Sequence, residues 1–263
     1  MKVRDIIEAI ESAAPLRFQD EWDNSGLQVG FPDSEIEKVL VCLDVTEAIV
    51  EEAVNTGAQM IVSHHPLIFK ALKQVSDSTY QQRCVVKALS GGIAIYSAHT
   101  SLDNAPGGVN HKIAKLIGLQ DLEWLQAKDG EDAGSGLIGT LPAPEHDSDF
   151  LRRLQSVFKV HSLRHSECNG RNIKTVALCG GSGAFLMREA REQGADCFVT
   201  GEFHYHDYFE NDGMLLAELG HYQSEQYTSD LLCELLRAAF PTLDIVKTTL
   251  NTNPTCYLTE TRG

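Results

Sequence analysis

At 263 residues the chain is long enough for one large domain or for two smaller lobes with an ample core. Its 43% hydrophobic and 22% charged residues are ordinary for a globular protein, and a formal net charge of −15 argues against binding to nucleic acid, which requires basic side chains. No apolar run approaches the ~20 residues of a membrane span and no signal-peptide pattern opens the chain, so we expect a cytoplasmic protein without membrane contact.

Helix and strand patterns alternate along the first half of the chain. An amphipathic helix over residues 5–13 ends before Pro15, and the turn-rich segment 21–30 leads to a short strand. Strands are then predicted at 38–43, 57–63 and 92–97, and helices at 46–55, 80–88 and 109–117. Such alternation predicts an α/β fold with a mostly parallel sheet.

The second half repeats this alternation after a segment over 124–144 that is predicted to be a lobe boundary. Strands are expected at 175–179, 197–200 and 214–219, helices at 148–158, 185–193 and 224–240, and closing strands at 244–249 and 251–258. We therefore predict two α/β lobes with mixed, mostly parallel sheets, 1–125 and 126–263. The closing strands near 244–260 can return to the first lobe.

Polar side chains follow the ends of four predicted strands. They are His64 and His65, His99 and Asp103, Glu202 and His206, and His221. In α/β sheets ligands bind outside the carboxyl ends of the strands, so these residues predict a site there, between the lobes.

His64 and His65 end a strand that Pro66 closes. Within a strand, neighbouring side chains point to opposite faces, but at its end both imidazoles can turn toward the same space. The alternative for an isolated His-His pair is one surface histidine and one hydrogen-bonded core histidine.

His221 and Glu225 are four residues apart at the start of a predicted helix. If the helix begins by His221, both side chains lie on one face. The alternative is that Glu225 only complements the helix dipole.

Together these residues offer three imidazoles and two carboxylates, from His64, His65, Asp103, His221 and Glu225. This is the ligand count for two divalent ions with one bridging carboxylate, and the mixed nitrogen and oxygen set suits Zn, Fe, Mn or Co. The seven cysteines are dispersed without a C-x-x-C spacing, which argues against a thiolate zinc site and a disulfide framework.

Several other polar residues near these motifs have two interpretations each. His99 could orient a ligand or shuttle a proton, or be structural, and Asp44 could cap a helix or line the pocket. Glu202 and His206 are weaker candidates, and His204 is interpreted as structural. The glycine-rich segment 180–183 could present N–H groups to a phosphate, but it lacks a P-loop lysine, which favours a tight turn. The remaining histidines are expected at the surface: His111, His146, His161 and His165.

The ordered set of motifs resembles the Nif-three-like family of dinuclear metal-centre proteins, the GTP cyclohydrolase type-two homologues. The matching segments are 22–30, 63–66, 99–104, 179–183, 200–206 and 220–225. The resemblance covers essentially the whole chain and corresponds to the compact form without an inserted domain.

By this resemblance His65 and Asp103 would hold one ion, His64 and His221 the other, and Glu225 would bridge them. The resemblance also implies a toroidal homohexamer with metal sites facing an inner cavity. The leading hypothesis is a metal-dependent hydrolase acting on a purine nucleotide, with Glu225 at the metals and His99 as a candidate proton shuttle. The alternatives are an iron or zinc carrier without turnover and a metal-binding scaffold.

Overall fold

The computed structural model describes residues 1–258 and contains two mixed β-sheets with helices on their faces, so the predicted α/β class is confirmed. The strands are β1 (Gly26–Val29), β2 (Lys38–Cys42), β3 (Met60–Ser63), β4 (Ala94–Ser97), β5 (Gln120–Ala127), β6 (Gly134–His146), β7 (Arg164–His165), β8 (Asn172–Cys179), β9 (Cys197–Thr200), β10 (Leu215–Glu218) and β11 (Asp244–Lys247). The helices are α1 (Val3–Ala13), α2 (Glu47–Thr56), α3 (Tyr80–Ser90), α4 (Thr100–Asp103), α5 (Val109–Ile117), α6 (Asp147–Val157), α7 (Met187–Glu192), α8 (His221–Glu225) and α9 (Thr228–Ala239).

The first sheet has the strand order β1-β4-β3-β2-β11. Strands β4, β3, β2 and β11 are parallel, and only β1 at the edge is antiparallel to its neighbour. Strand β11 comes from the far end of the chain and pairs with β2. The prediction of a strand at 251–258 is wrong, because this segment forms neither a strand nor a helix. The end of the predicted closing segment, 259–260, lies outside the described residues.

The second sheet has the order β5-β6-β8-β9-β10-β7, with β8, β9 and β10 parallel and the other pairs antiparallel. The segment 124–144, predicted to be a lobe boundary, is instead most of the β5–β6 hairpin. Its acidic residues and Gly130 belong to the turn, but its other glycines lie within β6. Leu125, Leu137 and Leu141 are buried. A division at 125/126 would pass through β5.

Continuous apolar runs in the central strands reflect burial on both faces of the sheet. In β2, Val39 and Val41 belong to a core shared by both sheets, whereas Leu40 and Cys42 pack on the opposite face with α2 and α3. Such strands need no polar alternation because neither face meets water.

The shared core joins the two sheets into one packed unit. It contains side chains of α1, α5, α6 and α9 together with residues of both sheets. A third cluster covers the outer face of the second sheet under α7. The two sheets are therefore held together by helices between them.

The helix predicted at 224–240 is interrupted. It comprises α8, which begins at His221, and α9, with Gln226 and Tyr227 between them. The helix predicted at 185–193 opens as a 3-10 turn over Gly183–Leu186 before α7. Within residues 1–258 no helix has both the length and the apolar character that crossing a membrane requires.

Candidate metal centre

The carboxyl ends of parallel strands from both sheets bring five predicted side chains together. We call them the donor cluster: His64, His65, Asp103, His221 and Glu225. After β3 the backbone N–H groups of His64 and His65 both donate to the carbonyl of Leu43, at 3.1 and 3.0 Å. The chain therefore leaves the pleat at this point, and both imidazoles face the same space.

His64 is fully buried, and one of its nitrogens is directed at two carboxylates. Its Nδ1 donates to the carbonyl of Ala98 at 2.9 Å, which leaves Nε2 as the free nitrogen. Nε2 lies 3.7 Å from Asp103 Oδ1 and 3.7 Å from Glu225 Oε1, too far for hydrogen bonds. Both His64 Nε2 and Asp103 Oδ1 are buried without a hydrogen-bond partner. Such orphaned atoms are costly unless another group binds them, and these two fit ligands of one metal ion.

His65, His221 and Glu225 form a second group that shares Glu225 with the first. Glu225 Oε2 lies 3.0 Å from His65 Nε2 and 3.2 Å from His221 Nε2, and the two Nε2 atoms are 3.4 Å apart. The two oxygens of Glu225 thus face different groups, as expected for a bridging ligand. The distances group His64 with Asp103 and His65 with His221, the opposite pairing to the one that the resemblance implied.

The carboxylates determine the protonation of the cluster. Burial lowers the pKa of His65, but hydrogen bonds with Asp44 and Glu225 outweigh it and raise the pKa to about 10. Burial also lowers the pKa of His221, but the hydrogen bond and the charge of Glu225 outweigh it and raise this pKa to about 9. Burial raises the pKa of Asp103, whereas contacts with the three histidines overcome burial and hold the pKa of Glu225 well below its usual range. A metal ion binding at His65 and His221 would therefore displace protons.

His99 lies beside the donor cluster and is held by a residue that sequence reasoning did not assign. Its Nδ1 donates to Asp23 Oδ1 at 2.6 Å, so Nε2 is its remaining nitrogen. The His99 ring centroid is 5.3 Å from that of His64 and 5.4 Å from that of His65. Because Asp23 is 76 positions from His99, no local spacing could have indicated this contact.

Asp44 lines the pocket and does not cap α2, whose N-cap is Thr46. Asp44 Oδ1 accepts the Nδ1–H of His65 at 2.7 Å, and Oδ2 accepts the hydroxyl of Thr252 at 2.6 Å. A carboxylate behind a ligating imidazole fixes its tautomer and orientation. Thr252 was missed because the tail was predicted to be a strand.

Among the weaker candidates, Glu202 reaches the cluster and His206 does not. Glu202 Oε1 is 3.4 Å from His221 Nδ1, and its Oε2 accepts from the Ser182 hydroxyl at 2.7 Å. His206 packs against Tyr205 and Phe209 in an exposed turn. His204 begins the same turn and is exposed, and His111, expected at the surface, is half-buried against Trp124.

The glycine-rich segment after β8 is a tight turn, and the N–H groups of its three glycines already donate hydrogen bonds. Gly180 donates to Asn110 Oδ1, Gly181 to Ser224 Oγ and Gly183 to Thr200 Oγ1, each at 3.0 Å. Gly181 has a φ of +60°, and a Cβ there would lie 2.4 Å from Glu225 Oε1. Only glycine therefore permits Glu225 its position.

The donor cluster lies between two cavities. One, of about 430 Å³, is lined by His65, His221 and the tail from Asn253 to Tyr257. The other, of about 690 Å³, is lined by aromatic residues of both sheets' loops. His65 and His221 face both cavities, so a ligand in either can approach the cluster.

Sequence comparisons connect the chain to known proteins. Residues 1–254 match the family model Duf34/NIF3 (NGG1p interacting factor 3). A Streptococcus pneumoniae protein named "GTP cyclohydrolase 1 type 2 homolog" is 31% identical, over 97% of this chain and 98% of its own. A Lactococcus lactis protein of the same name is 33% identical, over 97% and 98%.

Solved structures agree with the fold. A hypothetical protein of Staphylococcus aureus has a TM-score of 0.90 and 28% identity, covering 98% of this chain and 99% of that one. A Bacillus cereus protein related to NIF3 has a TM-score of 0.88 and 24% identity, covering 98% and 99%.

Proposed function

Because the chain belongs to the Duf34/NIF3 family, we propose that its donor cluster holds two divalent metal ions and that the protein uses them to hydrolyse the ring of a purine nucleotide. One observation carries the metal proposal: His64 Nε2 and Asp103 Oδ1 are buried without partners and face each other across 3.7 Å. An ion would satisfy both atoms. The names of the relatives supply the nucleotide, since they contain the words GTP cyclohydrolase.

The donor set fits two ions of the Zn, Fe, Mn or Co type. His64, Asp103 and one oxygen of Glu225 would hold the first, and His65, His221 and the other oxygen of Glu225 the second. Imidazole nitrogen and carboxylate oxygen are ligands that these metals share. Two ions bridged in this way activate water and stabilise developing negative charge.

The chain's own residues orient these groups and move protons. Asp44 holds His65 through Nδ1, and Ala98 holds His64 in the same way, so both present Nε2 to the site. Asp23 holds His99 so that its Nε2 can accept a proton and return it to a leaving nitrogen. In a cyclohydrolase reaction, hydrolysis at C8 of guanine opens the ring and releases formate.

Gly181→Ala tests the metal site without replacing any of the proposed ligand residues. The added methyl would displace Glu225. We therefore expect elemental analysis to find two metal equivalents per chain in the wild type and at least one fewer in this variant. Gly57→Ala is the matched control, because Gly57 also has a positive φ, +71°, but has open space around it. Wild-type metal content in Gly181→Ala would contradict the assignment of Glu225 as bridge.

Formate release from GTP by protein reconstituted with Mn, Fe or Zn tests the reaction. We expect turnover that disappears in Glu225→Ala. A protein that carries two ions per chain and releases no formate would overturn the GTP assignment and favour the carrier function. The hexameric ring implied by the resemblance remains a proposal that light scattering of the purified protein tests.

A further inference from the structure

The larger cavity beside the donor cluster has an aromatic wall. Trp22 is 59% exposed and Phe69 46% exposed, and Phe185, 60% exposed, lines the same cleft from the second sheet. Large apolar side chains gathered at a concave site and left accessible are typical of ligand-binding surfaces. We use "aromatic wall" for Trp22 and Phe69.

Hydrogen bonds tie together the two segments that carry the rings of the aromatic wall. The ring centroids of Trp22 and Phe69 are 5.7 Å apart. Asn24 Nδ2 donates to the carbonyl of Ile68 at 2.7 Å, and Ile68 N–H donates to Gln28 Oε1 at 3.2 Å. Since the residues adjoining both rings are tied together, the wall is ordered before a ligand arrives, which reduces the entropic cost of binding.

His99 connects the aromatic wall to the donor cluster. Its ring meets that of Trp22 edge-on at 5.9 Å and that of Phe69 at 6.2 Å. The same ring is 5.3 Å from His64. A flat molecule lying on the wall is therefore within reach of the metal ligands.

The side chains of the cleft offer no cation to a phosphate group, and the two metal ions of the proposed function would be engaged by the reacting ring. Among its described lining residues there is no lysine or arginine, and Asp20, Asp103 and Glu225 contribute acidic groups. The N–H groups of Gly180 and Gly181, which could otherwise bind an anion, already donate to Asn110 and Ser224. Phosphate recognition rests on such donors and charges.

We propose that this cleft recognises a planar, purine-sized heteroaromatic ring by stacking on the aromatic wall and makes no contact with phosphate groups. The inference rests on the proposed function, which places a reactive ring at the donor cluster, and it identifies the part of the substrate that is bound. Sugar and phosphate extend out of the cleft, so a nucleoside binds as tightly as its triphosphate.

Calorimetric titration of the metal-loaded protein with guanosine and with GTP tests the proposal. We expect similar Kd values for the two compounds. Trp22→Ala should weaken both by about tenfold, the loss expected when one aromatic stacking partner is removed, and Trp22→Phe should retain most of the affinity. Phe31→Ala is the control, because Phe31 is 70% exposed and lies outside the cleft lining.

Two results would overturn the proposal that the cleft binds the ring and not the phosphates. A GTP Kd more than tenfold below that of guanosine would show that phosphates are recognised and would overturn the proposal. Unchanged guanosine binding in Trp22→Ala would also overturn it, and a simultaneous change in oligomer size would assign the wall to a contact between copies.

Metal content and formate release, measured on the same samples, separate this proposal from the proposed function. Guanosine binding that depends on Trp22 in a protein without ring hydrolysis would support the cleft and contradict the reaction. Ring hydrolysis together with guanosine binding that does not depend on Trp22 would support the proposed reaction and contradict the role of the aromatic wall.

Discussion

Asp23 is a fully buried carboxylate that organises the loop around His99. Its Oδ1 accepts from His99 Nδ1 at 2.6 Å, and its Oδ2 accepts from the Ser25 hydroxyl at 2.8 Å and from the N–H and hydroxyl of Thr100 at 3.0 and 2.6 Å. Burial raises the pKa of Asp23, but these hydrogen bonds outweigh it and hold the pKa well below the usual range. The ionised form therefore stabilises the fold.

Replacing Asp23 by Asn should destabilise the protein by about 2–4 kcal/mol at pH 7, because an amide nitrogen would face donors that now share a charged acceptor. The stabilisation by ionised Asp23 is complete above the unfolded-state pKa of about 4 and declines as the pH falls below it. The difference in unfolding free energy between wild type and Asp23→Asn should thus be nearly constant from pH 7 to about pH 5 and narrow as the pH falls below about 4. Urea unfolding at each pH measures it.

The exposed Asp129→Asn is the control for that experiment and should change stability little at either pH. A constant difference between wild type and Asp23→Asn across this pH range would show that Asp23 acts through its shape and not its charge.

The donor cluster could be predicted from the sequence, whereas the residues that hold it could not. His64, His65 and His221 lie at or just after strand ends, and the chemistry of their side chains restricts what they can do together. Asp23 and Thr252 contact the site across 76 and 208 positions of sequence, and nothing local distinguishes them from other loop residues. Long-range hydrogen bonds depend on topology, which the motifs do not specify.

At the scale of elements, the C-terminal tail contributes to the site without being a strand or a helix. Thr252 binds Asp44, and Tyr257 OH accepts from Gln223 Nε2 at 3.3 Å. Gln223 belongs to α8, the helix that carries His221 and Glu225. The tail thus contacts both the residue behind His65 and the helix of the second group.

Thr252→Val should weaken metal binding at the His65 group. Valine keeps the shape of threonine but cannot donate to Asp44, so His65 would be less firmly oriented, and loss of such outer contacts lowers metal affinity by about tenfold or more. Competition with a chromophoric chelator measures the affinity of each ion. Thr249→Val, at an exposed position of the same segment, should leave both affinities unchanged, and equal weakening by both variants would mean that the tail only stabilises the fold.

Elements with a strong local sequence pattern can be predicted from the sequence. Elements whose structure depends on pairing with other strands cannot. Helix α1 and strand β2 follow from periodicity and from a continuous apolar run. The sequence predicts a boundary at the β5–β6 hairpin because acidic residues and glycines lie in and just after its turn, although its strands are paired along their length. The prediction of a strand over 251–258 is wrong for the opposite reason. Its sequence pattern is typical of a strand, but the segment pairs with no other strand.

At the scale of the whole molecule, the chain crosses between the sheets more than once. It builds most of the first sheet, then the second, and returns through α9 to add β11 beside β2. Side chains of α1 and α9 share the central core with both sheets. The two lobes that the alternation pattern predicts are thus joined by a common core that no local pattern could reveal.

A fragment of residues 1–125 should therefore not fold alone. It would lack β11, which covers the edge of β2, and α9, which completes the core against α1, so an open strand edge and buried apolar side chains would meet water. We expect no cooperative thermal unfolding of the isolated fragment by circular dichroism. The full chain cut by a protease site placed in the β5–β6 turn is the control, since the cut leaves every element in place and the two pieces should stay associated during gel filtration. A fragment 1–125 that unfolds cooperatively would show that the first sheet is an independent domain and that the shared core contributes little to its stability.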